Sequence, residues 1–336
     1  MKQTLVTVLA LLTLLPCGLQ AQPQDVKPEE EHAGLFLVQV GGKYGYIEKT
    51  GKLAIGPQFD CAWEFSDGLA RVQIGDKFGY INKTGKLAID PQLEAAYDFS
   101  DGLARVQVGD KWGYIDATGK LVISSQFDFA VDFSDGLAPV AIGDKYGYID
   151  KAGKLVISSQ FNLAGDFSEG LAPSKIGGKY GYIDGTGKVV IKPQFDDASG
   201  FSGGLACIEI GEKWGYIDKI GKLVVKPQFD GARAFSEGLA LVEVVDTTVG
   251  PKFGYIDKTG GYAINRQFSE ANDFSEGVAA VEVDGKYGYI DKTGKDVIKP
   301  QFDDAFGFSG GLAWVSIGGK RGYIDKTGKY IWEPSK

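Results

Sequence analysis

The sequence predicts an all-β protein of nine tandem units, about 34 residues each, arranged as an open superhelical array or, alternatively, as a closed propeller-like ring. One observation is a motif Lys-aromatic-Gly-Tyr-Ile, in which Arg321 replaces the aromatic residue of the last copy. A second is a motif Phe-Ser-x-Gly that separates these copies. The glycine of the first motif is residue 45, 79, 113, 147, 181, 215, 254, 288 and 322, and the phenylalanine of the second is residue 65, 99, 133, 167, 201, 235, 274 and 308.

Each unit contains the pattern of three short strands. In the second unit, residues 68–74 alternate between apolar and polar side chains, as expected for a strand with one buried face. Residues 77–81 and 86–89 form the next two predicted strands. The following segment, typified by residues 227–235, has apolar residues three apart, which favours a turn or one helical turn and leaves a short fourth strand as the alternative.

Glycine-containing turns connect the predicted strands. Gly75-Asp76 fits a two-residue hairpin turn between the first and second strands. The connection after the second strand, for example 116–119, fits a type I turn closed by a left-handed glycine, Gly119. The aspartate that opens this turn is expected to bond its own backbone.

The open array is the preferred arrangement because three features argue against a ring. A unit of 34 residues is short for a four-stranded blade, and nine blades exceed the usual four to eight. The two ends of the repeat region also lack clearly complementary partial units that would exchange strands to close a ring. Neighbouring units must share a core in either case, because one unit cannot bury its own apolar side chains.

The repeat resembles a known bacterial family. Residues 213–218 read Lys-Trp-Gly-Tyr-Ile-Asp, Gly221-Lys222 follows, and residues 235–240 read Phe-Ser-Glu-Gly-Leu-Ala. These motifs are similar to those of the WG (or KWG) repeat family, and the resemblance covers residues 34–336. The family's tryptophan position holds tryptophan only at Trp112 and Trp214. The resemblance implies a β-repeat fold and implies almost nothing about activity.

The N-terminus has the pattern of an export signal. Lys2 precedes the apolar run Leu5–Leu15, and Ala21 offers a cleavage site, so residues 1–21 are predicted to be a signal peptide. The apolar run is too short to span a bilayer, which takes roughly 20 apolar residues. A lipid anchor at Cys17 is disfavoured because proline precedes this cysteine.

The remaining chain is predicted to be a periplasmic or extracellular protein with a mixed, mildly acidic surface. Residues 22–33 are polar and acidic and are expected to form a disordered spacer before the repeat domain of residues 34–336. Loss of the signal changes the formal net charge from −8 to −9. This balance disfavours nucleic acid and anionic membranes as partners, because both need a basic patch.

Catalytic groups are scarce in the sequence. His32 is the single histidine and precedes the repeat, so neither a histidine-based triad nor a histidine-bearing zinc site has its ligands. Cys61 and Cys207 lie in well-separated units and are predicted to remain outside disulfides. Two columns of recurring carboxylates lack the unique geometry of a catalytic pair. We therefore expect a protein without enzymatic activity, cofactor or metal, and keep a carboxylate-dependent hydrolase of the cell envelope as the alternative.

An aromatic column is the one candidate binding feature. The tyrosines of the Gly-Tyr-Ile motif share a face with variable positions of the first strand, and such a face would suit a protein or glycan ligand. The alternative is that these rings pack on the next unit and leave only their hydroxyl groups in water. The candidate ligand-binding residues are Arg71, Arg105, Tyr80, Tyr114, Trp112, Trp214 and Trp314.

We expect the mature protein to begin at Gln22 and to lie outside the cytoplasm. N-terminal sequencing of the protein from its native host would test this expectation. Recovery of Met1, or of a lipid on Cys17, would contradict it.

Overall fold

The computed structural model describes residues 34–335, which form 34 β-strands and no helix. The strands are grouped into nine antiparallel sheets of three or four strands, and each sheet is a meander of consecutive strands. We call these sheets blades 1 to 9 in chain order. The predicted signal peptide and acidic spacer lie outside the described residues.

The first five blades have the following strands. Blade 1 comprises β1 (Leu35–Val40), β2 (Lys43–Glu48) and β3 (Leu53–Phe59), and blade 2 comprises β4 (Cys61–Ser66), β5 (Leu69–Ile74), β6 (Lys77–Asn82) and β7 (Leu87–Leu93). Blade 3 comprises β8 (Ala95–Ala96), β9 (Ala104–Val108), β10 (Lys111–Ile115) and β11 (Leu121–Phe127). Blade 4 comprises β12 (Phe129–Ala130), β13 (Leu137–Ile142), β14 (Lys145–Asp150) and β15 (Leu155–Phe161), and blade 5 comprises β16 (Leu163–Ala164), β17 (Leu171–Ile176), β18 (Lys179–Asp184) and β19 (Val189–Phe195).

The last four blades repeat this order. Blade 6 comprises β20 (Asp197–Ala198), β21 (Leu205–Ile210), β22 (Lys213–Asp218) and β23 (Leu223–Phe229), and blade 7 comprises β24 (Gly231–Ala232), β25 (Ala240–Asp246), β26 (Gly250–Ile256) and β27 (Tyr262–Phe268). Blade 8 comprises β28 (Val278–Val283), β29 (Lys286–Asp291) and β30 (Asp296–Phe302). Blade 9 comprises β31 (Asp304–Ala305), β32 (Leu312–Ile317), β33 (Lys320–Asp325) and β34 (Tyr330–Ser335).

The three predicted strands of each unit are present, and the alternative of a short additional strand is confirmed in most blades. This strand is two residues long in blade 3, where Ala95 and Ala96 pair with Gln107 and Val106. The chain after the third strand is therefore extended, and the prediction of a helical turn there is wrong. The three-residue spacing misled because the short strand is followed directly by a bend into the Phe-Ser turn.

The third strand is longer than predicted, and its pairing with the second strand contains shifts of register. In blade 3, Trp112 lies opposite Phe127 whereas Tyr114 lies opposite Ile123, so four residues of β11 span two of β10. The excess backbone folds over Gly113, where an added Cβ atom would lie 2.6 Å from the Ile123 carbonyl oxygen. This close approach explains why the motif has glycine before the tyrosine, since no other residue fits.

The preference for an open array is wrong, because the nine blades close into a ring. Phe36 and Val38 of blade 1 share a buried cluster with Leu312 and Tyr323 of blade 9. The Tyr323 hydroxyl donates a hydrogen bond to the Leu37 carbonyl oxygen over 2.9 Å. The alternative prediction, a closed propeller-like ring, is therefore confirmed.

Closure needs no exchange of strands among the described residues, which is why the two ends of the repeat region lack clearly complementary partial units. Elsewhere each motif tyrosine packs on the phenylalanine of the next Phe-Ser segment, as Tyr80 does on Phe99 with ring centroids 4.9 Å apart. The described part of blade 1 has no such segment. Phe36 takes that place, with its ring centroid 5.7 Å from that of Tyr323. The closing contact therefore uses side chains and not a shared sheet.

Hydrogen bonds from the Phe-Ser turns connect the blades in series. The Ser100 hydroxyl in blade 3 donates to the Phe133 carbonyl oxygen at the start of the next turn over 2.7 Å. The carboxylate of Asp101 accepts a hydrogen bond from the Gly136 amide over 2.9 Å. Equivalent serine bonds start from Ser66, Ser134, Ser168, Ser202, Ser236 and Ser275. The turn motif thus serves to join blades as well as to reverse the chain.

The predicted turn at residues 116–119 is confirmed. Gly119 has φ +82°, and its amide donates to the Asp116 carbonyl oxygen over 2.9 Å. A Cβ atom at Gly119 would also lie 3.1 Å from Cγ2 of Ile89 in blade 2. The turn glycine therefore has two requirements, a left-handed backbone and contact with the preceding blade.

We predict that Gly119→Val destabilises the whole ring. The left-handed backbone costs about 1–2 kcal/mol with a Cβ atom, and crowding against Ile89 adds about 1–3 kcal/mol. Because each blade of a closed ring supports two neighbours, hydrogen exchange should show protection lost in all blades together. Loss confined to blades 2 to 4 would contradict closure.

Gly136→Val is the matched control for this variant. Gly136 has φ +79° but no atom within 4 Å of its added Cβ position. Gly136→Val should therefore have only the free-energy cost of the left-handed backbone. In chemical denaturation it should lower the free energy of unfolding less than Gly119→Val does. An equal loss of unfolding free energy in the two variants would show that crowding against Ile89 adds nothing to the effect of Gly119→Val.

Candidate functional site

The tyrosine column lies inside the protein, at the contacts between blades. Tyr80 and Tyr114 have no exposed surface. The predicted register is correct, with Arg71 opposite Tyr80. However, Ile81 on the opposite face of the same strand is also fully buried, because each sheet has a neighbouring blade on both faces. The tyrosines therefore form no ladder of exposed rings on the surface. They pack on the next unit, which was the alternative expected from the sequence.

The tyrosine hydroxyl groups are used in the same way in blades 1 to 8. The Tyr114 hydroxyl in blade 3 donates to the Val131 carbonyl oxygen of blade 4 over 2.6 Å. The same bond is made by Tyr46, Tyr80, Tyr148, Tyr182, Tyr216, Tyr255 and Tyr289, each to the blade that follows it. A buried hydroxyl needs such a partner, and these bonds supply it.

Arg71 and Arg105 lie between blades and are held by aromatic rings and acids. The Arg105 guanidinium carbon lies 3.6 Å from the centre of the Tyr97 ring, and its Nη1 donates to the Ala130 carbonyl oxygen over 2.7 Å. Its Nε lies 2.8 Å from Oδ1 of Asp132. Arg71 repeats this arrangement one blade earlier, over the ring of Trp63 at 3.9 Å.

Around these arginines, half-buried aromatic rings form a continuous group across blades 2 to 4, which we call the aromatic strip. The strip consists of Trp63, Phe78, Tyr97, Trp112 and Phe129. The Tyr97 and Trp112 centroids are 5.7 Å apart, and those of Trp112 and Phe129 are 6.2 Å apart. Arginine stacked on aromatic rings is fixed in position, so the strip is a preorganised surface.

Sequence reasoning missed Trp63, Tyr97 and Phe129 because they lie in or next to the short strand that was taken for a turn. Trp63 and Tyr97 occupy the same unit position, and their two units also contain Arg71 and Arg105, which is the signal that could have found these two residues. The other aromatic residue at that position is Phe306. The other two predicted tryptophans lie elsewhere. Trp214 is in blade 6, and Trp314 is in blade 9 beside Phe306 and Arg321.

Trp214 borders a cavity between blades 6 and 7. The cavity has a volume of about 260 Å³ and is open to solvent on one side. Its lining residues are Asp197, Ala198, Ser199, Gly200, Cys207, Trp214, Ala232, Arg233 and Ala234.

Cys207 forms no disulfide and its Sγ lies 2.9 Å from the Ser199 hydroxyl oxygen. Cys61 is disulfide-bonded, so the prediction about the cysteines is correct for Cys207 and wrong for Cys61.

The recurring carboxylates stabilise turns and junctions. The Asp116 carboxylate accepts hydrogen bonds from the Thr118 amide and hydroxyl over 2.9 and 2.6 Å, as predicted for the first column. In the second column, Asp128 pairs with Lys111 and accepts from the Gly143 amide. Side-chain hydrogen bonds lower the pKa of both carboxyl groups. Their contribution to stability is therefore complete at neutral pH and is lost as the pH falls below about 4.

Asp132 is one of the described carboxylates whose pKa is raised, and Asp273 is another. Desolvation raises the pKa of Asp132, while the paired Arg105 opposes the rise. A raised pKa beside a charged partner occurs in structural ion pairs as well as at active sites.

Within residues 34–335, no group of three or more histidine, cysteine, aspartate or glutamate side chains is placed to hold a metal ion. The described residues also include no helix able to span a membrane.

Nine small antiparallel sheets in a closed ring define the protein as a nine-bladed β-propeller. The family model described as "WG containing repeat" matches residues 44–78, 78–112, 112–146, 146–180, 180–214, 214–244, 253–287 and 287–320. The chain belongs to this family, which confirms the resemblance found in the sequence. No curated protein matches the sequence.

Several solved structures are similar to this chain. BamB from Moraxella catarrhalis has 10% identity and a TM-score of 0.45, covering 77% of this chain and 92% of that chain. Dihydro-heme d1 dehydrogenase NirN in complex with DHE has 14% identity and a TM-score of 0.49, covering 94% and 76%. PorZ of Porphyromonas gingivalis has 11% identity and a TM-score of 0.36, covering 91% and 51%. Identities and scores this low transfer no function.

We predict that the interblade tyrosines ionise only when the ring unfolds. Burial raises the pKa of Tyr80, Tyr114 and their equivalents above the ordinary value of about 10. Their raised pKa stabilises the fold below pH 10, and this contribution is lost as the pH rises further. A titration followed by tyrosinate absorbance and by circular dichroism should show late ionisation coinciding with unfolding.

Tyr114→Phe is the control for this titration, because it removes one late-ionising hydroxyl and keeps the ring. The late absorbance change should shrink while the early change stays the same. Ionisation of all 16 tyrosines before any change in circular dichroism would contradict the burial of this column.

Proposed function

We propose that this protein is an exported, non-enzymatic binding or scaffolding module for a protein or glycan, and that its aromatic strip docks a protein partner. The observation that carries the proposal is the strip itself, where Trp63, Tyr97 and Trp112 lie half-buried around Arg71 and Arg105. Tryptophan, tyrosine and arginine are the residues most enriched among those that dominate protein–protein binding energy.

The distribution of repeated and variable residues supports this location. Residues that recur in nearly every unit are used in contacts within and between blades, as Tyr114, Ser100 and Gly119 are. The variable positions lie at the gaps between blades, where individual units differ in chemistry. A binding surface must differ from the repeated scaffold to be specific, and the strip occurs only on blades 2 to 4.

Export is part of the proposal and depends on the sequence pattern of Lys2, Leu5–Leu15 and Ala21. The alternative, a carboxylate-dependent hydrolase, would need an acid with a raised pKa, for which Asp132 is one candidate. Asp132 is already paired with Arg105, and its position supports a structural ion pair better than proton transfer.

The test uses the full mature protein, immobilised and exposed to envelope extract of its native host, with wild type and variants compared quantitatively. Trp112→Ala should weaken capture of the specific partner by roughly 30-fold, the loss expected for a residue worth about 2 kcal/mol. Trp214→Ala is the matched control, because Trp214 occupies the same unit position in blade 6. It should leave capture unchanged.

Circular dichroism and thermal unfolding of both variants would establish that each remains folded. If Trp112→Ala captured the same proteins as the wild type with the same strength, the strip would not be the docking surface. Equal loss in Trp112→Ala and Trp214→Ala would contradict a site restricted to blades 2 to 4.

A further inference from the structure

The gaps between blades offer a comparison within one molecule. Between blades 3 and 4, the Arg105 side chain fills the space beside Trp112. Its guanidinium lies on Tyr97, donates to the Ala130 carbonyl oxygen and pairs with Asp132. The filled gap shows what this position accommodates, a planar polar group stacked on an aromatic ring and bonded at its edges.

Between blades 6 and 7, the same positions hold small residues. Cys207 replaces the arginine, Ser199 replaces Tyr97 and Ala234 replaces Asp132, while Trp214 keeps the place of Trp112. Every group that fills the earlier gap has been shortened, and the result is the cavity of about 260 Å³. The cavity is open to solvent on one side, so a group from outside the chain can enter the space that the Arg105 side chain fills in the earlier gap.

Several polar groups that line this cavity already have hydrogen-bond partners within the protein. The Ser199 hydroxyl donates to the Gly200 carbonyl oxygen over 3.1 Å and accepts from the Cys207 amide over 3.2 Å. Arg233, which stands where blade 4 has Val131, is held through its carbonyl oxygen by the Tyr216 hydroxyl over 2.8 Å. The polar groups available to an occupant therefore lie at the sides of the cavity.

Two oppositely charged side chains provide these groups. The Arg233 guanidinium has five N–H donors, and one nitrogen lies 3.5 Å from an Asp273 carboxylate oxygen of blade 8. The Asp197 carboxylate uses one oxygen to accept from the Ala198 amide over 2.8 Å. Because Arg233 and Asp197 carry opposite charges, the walls together present little net charge and offer both donors and an acceptor, which suits a neutral ligand that both donates and accepts hydrogen bonds.

We propose that the cavity between blades 6 and 7 binds one neutral saccharide residue, stacked on the Trp214 ring with its hydroxyl groups bonded to Arg233 and Asp197. A pyranose ring has an apolar face of C–H groups and an edge of hydroxyls, which matches an aromatic wall flanked by a donor and an acceptor. This site is separate from the aromatic strip and goes beyond the protein-docking function proposed above.

The test is isothermal titration calorimetry of the full mature protein with cellobiose, maltose, lactose and N,N′-diacetylchitobiose. At least one of these should bind saturably. Trp214→Ala should weaken that binding roughly tenfold or more, since it removes the stacking wall. Trp112→Ala, the matched variant in the filled gap of blade 3, should leave saccharide binding unchanged.

Cys207→Arg is the more specific variant because it leaves Trp214, Arg233 and Asp197, the proposed ligand contacts, in place. It introduces the side chain that fills the equivalent gap at Arg105, and it should abolish saccharide binding while the ring remains folded by circular dichroism and thermal unfolding. Unchanged binding by folded Cys207→Arg would overturn the proposal. Absence of saturable binding by any of the four saccharides at millimolar concentration would also overturn it.

The two proposals fail separately. If saccharide binding is lost in Trp214→Ala and partner capture is lost in Trp112→Ala, both sites are supported. Saturable binding of N-acetyl-arginine amide in place of the saccharides would replace the neutral ligand by a cationic side chain and overturn this inference. It would leave the docking function of the aromatic strip unaffected.

Discussion

The contact between a motif tyrosine and the following blade is the interaction on which the rest of the structure depends. In blade 3, the Tyr114 ring packs 4.9 Å from the Phe133 ring while its hydroxyl donates to the Val131 carbonyl oxygen. One side chain thus supplies apolar burial and satisfies a backbone acceptor at the same contact. Because a three-stranded unit has no core of its own, this contact is the core, repeated at each interface.

Closure follows from the same contact. At the last interface, Phe36 replaces the alanine found at this position in the other units and gives Tyr323 the aromatic partner that the described part of blade 1 otherwise lacks. Gly51 of blade 1 lies against the Ile331 backbone of blade 9, as Gly119 lies against Ile89. The ring therefore closes by making a ninth interface with modified side chains. Exchange of strands between the two ends, the usual way to recognise a propeller in a sequence, is not used by the described residues.

The repetition of this contact in every blade explains why the residues that could recognise a ligand lie in the gaps between blades. The motif residues that join blades recur in nearly every unit, so they cannot distinguish one side of the ring from another. The gaps between blades tolerate change, and they contain Arg71 and Arg105 on one side and the cavity beside Trp214 on the other. Filled and empty gaps on one scaffold give the ring two regions of different chemistry without altering the blades.

The register at the candidate site was predicted correctly and the accessibility of its residues was not, for a physical reason. Register placed Arg71 opposite Tyr80 correctly, but alternation along a strand cannot show whether the second face is covered by another sheet. Arg71, which the pattern placed on an accessible face, is only 5% exposed, and Tyr80 is fully buried. The aromatic residues that remain partly exposed, such as Trp63 and Tyr97, lie near the short strand, where local pattern favoured a turn.

The sequence by itself determined the all-β class, the nine units, the hairpins and the turns, because these depend on interactions between residues close in the chain. Gly119 and Asp116 are examples, since their turn is specified by four consecutive residues. The tertiary structure alone decided closure, the burial of both sheet faces and the cavity between blades 6 and 7. These depend on the small rotation between successive blades, summed over nine interfaces, and on which side chains then meet across each gap. No local pattern encodes that sum.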